Sequence, residues 1–324
     1  VFRKYQYLLA LARHHHFGRA AAECHVSQPT LSNAIRLLED ELGVLIVERG
    51  QSFRGFTLEG LKVIETARRI LQEQETLRQE LRRDGVDLPG ELRLGVIPTA
   101  LPAVSHLIAP FSSRFPHVRI SLLSQSSRDI QRGLDEFELD AGITYLDNEP
   151  LINVRMQPLY SERYYLLTRR SEALRDLTCL SWAEAANHRL CLLTRDMQNR
   201  RIAESAFRMA DRVISPEVET NSLMTLYTNV RTGPWSSVVP GQLLTLLPLT
   251  PEMIALPLIA PDVTYVVGLV YANRQPPVPL ARALATVAVE EHLTAHIARF
   301  TSETLGKMGI QDPPNPRGRP SVTL

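Results

Sequence analysis

Residues 25–43, "HVSQPTLSNAIRLLEDELG", decide how the whole chain is read. Advancing about 100° per residue from Gln28, Leu31, Ala34, Ile35, Leu38 and Leu42 gather within about 100° of arc, the stripe that one side of a helix buries. The opposite side carries Pro29, Ser32, Asn33, Arg36 and Asp40, with Gln28 and Thr30 on its flanks. Ser27 falls at the N-cap, Pro29 in the first turn where its missing N–H is harmless, and Gly43 at the C-terminal stop. The outward groups of the first two turns are short, neutral and able both to donate and to accept hydrogen bonds. Such groups read base edges in a major groove, which admits a helix. Glu39, Asp40 and Glu41 would repel phosphates, so the helix is expected to enter by its N-terminal half. Taken alone, the stretch also fits an ordinary capped helix. Its neighbours decide.

The composition frames the question. The chain has 324 residues, room for two or three domains, with 44% apolar and 22% charged residues, as in ordinary globular protein. Apolar runs such as "VTYVVGLVYA" at 263–272 are about half the length a membrane helix needs, so no membrane partner is expected. Arginine, lysine and histidine interrupt the early apolar runs, unlike a secretory signal. Three cysteines, Cys24, Cys179 and Cys191, form no CxxC pair and suit a reducing compartment, hence the cytoplasm. Net charge is +1, and residues 1–60 hold seven Arg/Lys against six Asp/Glu. A nucleic-acid role must therefore rest on where charge sits.

Around the opening helix, "FRKYQYLLALARHHHFG" reads as a helix and turn, and "RAAAEC" as a short alanine-rich helix, a helix-turn-helix order. "VLIVERGQSFRGF" at 44–56 suits a small hairpin or wing. Thr57 then caps a long helix to about Arg83. Its residues Gly60, Val63, Ala67, Ile70, Gln74, Leu77 and Leu81 recur at alternating spacings of three and four, a seam for pairing with a second chain. A long helix lying on its own domain is the alternative. "DGVDLPGE" at 84–91 has hinge composition. Beyond it strands alternate with helices, the mark of α/β architecture, and two similar halves fit better than one ten-stranded sheet.

"FGRAAAECHVSQPTLSNAIRLLEDELGVLIVERG", followed by "FTLEG", resembles the DNA-binding domain of the LysR-type transcriptional regulators. The order of elements is similar to that family over nearly the whole chain. "SQPTLS" with the "LE" and "ELG" that follow is a specific match, whereas the effector half matches by pattern. The resemblance implies an all-α winged helix-turn-helix over 1–56 and a dimerising linker helix over 57–84, then a hinge at 85–90. It further implies an α/β two-lobed effector domain resembling periplasmic binding proteins, with lobe I at 91–162 and 268–300 and lobe II at 163–267. The remainder, 301–324, is expected to be a disordered tail. Carried over by position, the resemblance puts Ser27, Gln28, Pro29, Thr30, Ser32, Asn33 and Arg36 at or beside double-stranded DNA, with Arg49 and Arg54 as wing contacts to phosphate. Asn33 stands where the family often has a basic residue or Gln, and "HHH" where it usually has a small polar run. Consecutive histidines cannot converge on one metal without contorting the loop, so no metal site is expected there.

The family binds a small molecule between the lobes, and ligands of open α/β sheets sit beyond the carboxyl ends of strands, near helix N-termini. Thr99 and Ala100, Ser126 and Ser127, Thr144, and Asn221 and Ser222 stand at such places, with Thr194 and Arg195 as further second-lobe candidates. Helix capping alone is the competing explanation for each. No arginine stands out as a carboxylate clamp, and an anionic metabolite is the expected effector.

Some peroxide-sensing members use a cysteine pair in the second lobe, which makes Cys179 and Cys191 the alternative trigger. Cys191 lies inside an apolar strand, where a thiol is usually inert. A solute-binding protein is a weaker alternative, disfavoured by residues 1–56. No nucleophile elbow, P-loop, dinucleotide fingerprint or metal-ligand spacing is present, so neither enzymatic activity nor a cofactor is expected. The expected partners are DNA, an effector, RNA polymerase and further copies of the chain, as a homodimer and then a homotetramer.

Overall fold

The computed structural model describes residues 2–48, 53–81, 90–247, 249–274 and 277–310. Three helices open the chain: α1 (Phe2–His14), α2 (Phe17–Glu23) and α3 (Gln28–Leu42). Leu8, Leu11, Ala20, Ala21, Leu31, Ile35, Leu38 and Ile46 form their shared core. Small alanines on α2 let the helices approach closely. After α3, Val47 bridges Phe56 and the Glu48 N–H donates to the Gly55 carbonyl at 3.0 Å, which forms the base of the wing. Arg49, expected at the wing tip, lies outside the described residues.

Helix α4 (Leu58–Leu81) begins where expected, with the Gly60 N–H donating to Thr57 Oγ1 at 2.9 Å. Its seam is only partly free for a partner. A Cβ at Gly60 would lie 2.1 Å from the Ile46 carbonyl oxygen, so glycine is needed there for a close approach within the chain. Ala67 is fully buried by the chain itself, and Val63, Ile70 and Gln74 are half-covered. Leu77 stays exposed, and the Leu81 side chain lies outside the description. The hinge expected at 85–90 also falls outside the described residues except Gly90, which already belongs to a strand.

The second region contains β1 (Gly90–Val96), α5 (Leu101–Arg114), β2 (Val118–Ser124), α6 (Ser127–Asp135) and β3 (Ala141–Tyr145). Then follow β4 (Val154–Arg169), β5 (Leu180–Ser181), α7 (Trp182–Ala185), β6 (Cys191–Leu193), α8 (Gln198–Met209) and β7 (Val218–Thr220). The chain continues through α9 (Leu223–Thr232), β8 (Ser237–Pro240), α10 (Gly241–Leu244), β9 (Met253–Ile259) and β10 (Thr264–Ala272). It closes with α11 (Pro279–Glu290) and α12 (Leu293–Lys307).

Strands run β2-β1-β3-β10-β4-β9-β5, with β8 also paired to β4 and a separate pair β6-β7. Two lobes are present, but they are not separate sheets. The 16-residue β4 pairs with β10 along its first part and with β8 and β9 along its last. The lobe boundaries read at 162/163 and 267/268 therefore fall inside continuous strands. The second coincides with an irregularity between Val267 and Gly268, where the β10–β4 register shifts. A strand as long as β4 offers no turn residue to mark the crossing.

The expected disordered tail begins too early. Helix α12 carries on to Lys307, and Leu305 and Ile310 are buried against the second-lobe core with Leu243 and Leu244. Apolar residues at the helix end, masked in the sequence by the following Pro- and Gly-rich run, account for the difference. Residues 311–324 lie outside the description.

Candidate DNA-reading helix and effector cleft

On α3 the Thr30 N–H donates to Ser27 Oγ at 3.3 Å, and the two hydroxyls lie 2.8 Å apart. Gly43 ends the helix at φ 68°, a left-handed conformation that glycine adopts without strain. Leu31, Ile35 and Leu38 are buried, Ala34 is half-buried, and Leu42 is 43% exposed rather than inside the stripe. Gln28, Pro29, Thr30, Ser32, Asn33 and Arg36 are all exposed, as is Ser27, and Arg36 Nη2 donates to Asn33 Oδ1 at 3.3 Å. Arg54, beside the wing bridge, is exposed too.

The acidic run behaves differently from its reading. Glu39 is buried, and its Oε1 accepts from the N–H groups of Ile46 at 2.7 Å and Val47 at 3.1 Å. It ties the end of the reading helix to the first strand of the wing. Only Asp40 and Glu41 remain outward, and Glu41 pairs with Lys4 at 2.5 Å. The three histidines have separate tasks. His14 meets Glu23 at 2.5 Å, His15 packs on Phe53 and Phe56, and His16 Nδ1 accepts from the Arg19 N–H at 3.2 Å to cap α2.

The second candidate site lies where strands end. Val96, Ser124 and Ile143 are in register across the parallel strands β2, β1 and β3, so the residues after them emerge along one edge. Leu193 and Thr220 are likewise in register on β6 and β7. Tyr145 joins the two lobes. Its hydroxyl donates to Glu162 Oε2 at 2.7 Å, accepts from Asn199 Nδ2 of α8 at 3.3 Å, and lies 3.4 Å from Thr99 Oγ1. Tyr160 also donates to Glu162, at 3.2 Å. Across the same cleft Gln198 Nε2 donates to the Asp147 carbonyl at 3.3 Å, and Arg201 pairs with Glu149 at 2.5 Å.

Ser127 Oγ, Thr144 Oγ1, Thr194 Oγ1 and Gln125 Oε1 are sealed from solvent, with no hydrogen-bond partner among the described residues. Leaving buried polar atoms open is unfavourable by about 1–3 kcal/mol each, and such groups suit a polar ligand or water. Burial pushes the Glu162 carboxyl up to about 7, against the lowering effect of the two tyrosine hydrogen bonds. Burial also raises Tyr145, Tyr160 and Tyr164, which stay neutral, the first two as donors to Glu162.

Of the residues expected here, Thr99, Ser127, Thr144 and Thr194 are buried or half-buried at the strand ends, and Ala100 is buried beside Thr99. Ser126 and Ser222 cap α6 and α9, accepting from the N–H groups of Asp129 and Thr225. Asn221 is exposed, and Arg195 turns to Glu204 at 3.3 Å. Tyr145, Glu162, Gln198 and Asn199 were not singled out in the sequence. Tyr145 directly follows Thr144, and the two amides begin α8, so the strand-end rule extended by a residue or a turn would find them. Glu162 gives only a weak signal, one carboxylate in the tyrosine-rich strand "LYSERYYLL".

The comparisons bear on the two domains that carry these candidate sites. Residues 2–61 match the model of the bacterial regulatory helix-turn-helix protein, lysR family, and residues 86–292 match the LysR substrate binding domain. The DNA-binding transcriptional dual regulator OxyR of Escherichia coli strain K12 is 33% identical over 282 residues, 85% of this chain and 90% of that protein. A hydrogen peroxide-inducible genes activator from Dickeya chrysanthemi is 31% identical over 307 residues, 93% and 99% of the two chains. The solved structure of a full-length OxyR variant from Pseudomonas aeruginosa superposes with a TM-score of 0.70 at 27% identity, covering 89% of this chain and 97% of that one. With a reading helix of this form ahead of a two-lobed α/β domain, the chain belongs to the LysR family of DNA-binding transcriptional regulators.

Proposed function

We propose that the chain regulates transcription by binding, without catalysis, and that the ligand controlling it sits between the lobes. The observation that carries this is the Tyr145 hydroxyl, bonded to one lobe through Glu162 and to the other through Asn199, at the strand ends where the Ser127 and Thr144 hydroxyls are also buried without a partner among the described residues. A ligand bonding to those atoms competes with or completes the links between lobes, and shifts their relative population. The buried Arg200 is held by Glu204 at 2.8 Å and Glu219 at 2.7 Å, so it is not a ligand clamp. An anionic metabolite would instead be held by hydroxyls and by the first N–H groups of α6 and α8.

The action is proposed to take place in the cytoplasm. No helix among the described residues is long and apolar enough to cross a membrane. Exposed Leu58, Leu61 and Leu77 on α4, with Leu42 and Leu45 near its start, offer apolar surface for a second copy. A dimer, and a tetramer of two dimers, would place two reading helices on successive half-sites and present the complex to RNA polymerase.

The relatives' names favour a second reading, response to hydrogen peroxide. Here its thiol would have to be one of three. Cys191 is buried in the second core, 3.8 Å from Asn229 Nδ2, and burial raises its thiol. Cys24 belongs to the DNA-binding domain and is raised in the same way. Peroxide reacts with thiolate, so Cys24 and Cys191 are poorly placed for it, and the half-buried Cys179 is the thiol on which this second reading rests.

Footprinting on DNA flanking the chain's own gene, with peroxide and with a panel of small carboxylates, separates the readings. The expected result is a protected region whose length changes with one carboxylate and not with peroxide. A change with peroxide that a Cys179→Ser variant abolishes would transfer control to the thiol. No protected region at all would overturn the DNA-binding role.

A further inference from the structure

Across the cleft Arg201 is tied to Glu149, and arginines without a carboxylate among the described residues stand elsewhere. On β4 and β10, Arg155 lies opposite Tyr271, and Gln157 follows Arg155 on the same face, since side chains alternate along a strand. Helix α11 runs past this face with Arg282, Thr286 and Val289 on one side, at helical spacings of four and three. Together they line a groove of about 440 Å³, away from the cleft between the lobes.

Its charge is uncompensated among the described residues. Arg155 Nε donates to Asn273 Oδ1 at 3.1 Å, which orients the side chain. Neither Arg155 nor Arg282 has a carboxylate partner among the described residues. The neighbouring carboxylate on α11, Glu290, is held by Arg114. Glu73, on the linker helix nearby, is held by Arg274 at 2.8 Å. Two planar guanidinium groups, a phenol, an amide and a hydroxyl therefore stand beside apolar wall from Ala285 and Val289. Guanidinium forks match carboxylate oxygens in pairs, and the wall suits an apolar body.

We propose that this groove is a second ligand site, distinct from the cleft, for a small organic anion whose carboxylate is carried on an apolar or aromatic body. Its position gives it a route to the DNA-binding domain. Arg274, three residues after Tyr271, also donates to Thr76 Oγ1 of α4 at 3.3 Å, so an occupant presses on the strand end that grips the linker helix.

The test is calorimetric titration of the full chain with benzoate, its uncharged counterpart benzamide, and inorganic phosphate. Benzoate is expected to bind at least tenfold more tightly than either. An Arg155→Gln/Arg282→Gln double variant should lose at least tenfold in benzoate affinity with its melting temperature unchanged, because both side chains are exposed. A Thr99→Val/Ser127→Ala cleft variant should retain it. Three results overturn the proposal: no benzoate binding, equal binding of benzoate and phosphate, or benzoate binding lost in the cleft variant and kept in the arginine variant.

Discussion

Glu162 shows how much one buried carboxyl can influence. Its folded-state pKa, about 7, lies above the ordinary 4.5, so the native protein holds a proton that the unfolded chain has already released. Stability from this group is complete below the unfolded value, falls as pH rises from about 4.5 to 7, and stays lowered above that. The shift corresponds to about 3 kcal/mol. Glu162→Gln should flatten this part of the pH profile and raise stability at pH 8, as read by urea unfolding at pH 5 and pH 8. An unchanged slope would mean that the carboxyl titrates normally. On α3, Asn33→Ala should reduce discrimination at one base pair by about 1–3 kcal/mol. Arg36→Ala should instead weaken all sequences alike and lower the salt dependence by about one ion. Competition binding against a randomised operator library separates the two effects. The row of outward-facing residues on α3 was readable because helical periodicity assigns each side chain to a face. Glu39 was misread because its role depends on the Ile46 and Val47 N–H groups returning beneath the helix, a tertiary fact that periodicity does not carry.

Elements place these residues, and their joints are where substitutions matter most. Glu39→Ala would leave the Ile46 and Val47 N–H groups buried without an acceptor. We expect a loss of about 1–3 kcal/mol, read as a lower urea midpoint for the DNA-binding domain. Gly60→Ala is expected to be worse than an ordinary helical glycine replacement. The helix preference for alanine would favour it by up to about 1 kcal/mol, yet the new Cβ meets a backbone oxygen that cannot move without the wing. Far-ultraviolet circular dichroism and melting of the variant check this, and a stabilised protein would contradict it. Helix α4 also illustrates the limit of pattern reading. The 3-4 spacing identified a helix with a continuous apolar side, but spacing is blind to which neighbour covers that side. Here the DNA-binding core takes Ile64, Gly60 packs against Ile46 and Ala67 is buried within the chain, while Leu61 and Leu77 remain outside. Leu61→Glu is accordingly expected to shift the chain toward monomer in sedimentation, with its melting temperature little changed.

At the scale of the molecule, two sets of polar links connect DNA reading to ligand binding. The first ties α4 to the effector domain: Arg68 meets Glu136 at 3.1 Å and Glu138 at 2.5 Å, and Gln72 donates to Asp140 at 3.2 Å. Asp140 immediately precedes β3, whose last residue is Tyr145, so the linker helix rests against the strand that ends in the cleft. The second set spans the lobes through Tyr145, Asn199 and the Arg201–Glu149 pair. The alternation of strands and helices and the strand-end positions of several hydroxyls were legible in the sequence, because both follow from local rules. The continuous β4, the Tyr145 bridge and the helical end of the chain depended on pairings between distant residues. The central claim is that occupancy of this cleft sets the geometry of DNA binding. The most direct measurement compares the footprint of the wild type, with and without its most effective carboxylate, with that of a Thr99→Val/Ser127→Ala variant. The account predicts that ligand changes the wild-type footprint, whereas the variant binds the same DNA with a footprint that ligand leaves alone. A variant that still responds in full would contradict it, and would move control of the protein out of the cleft.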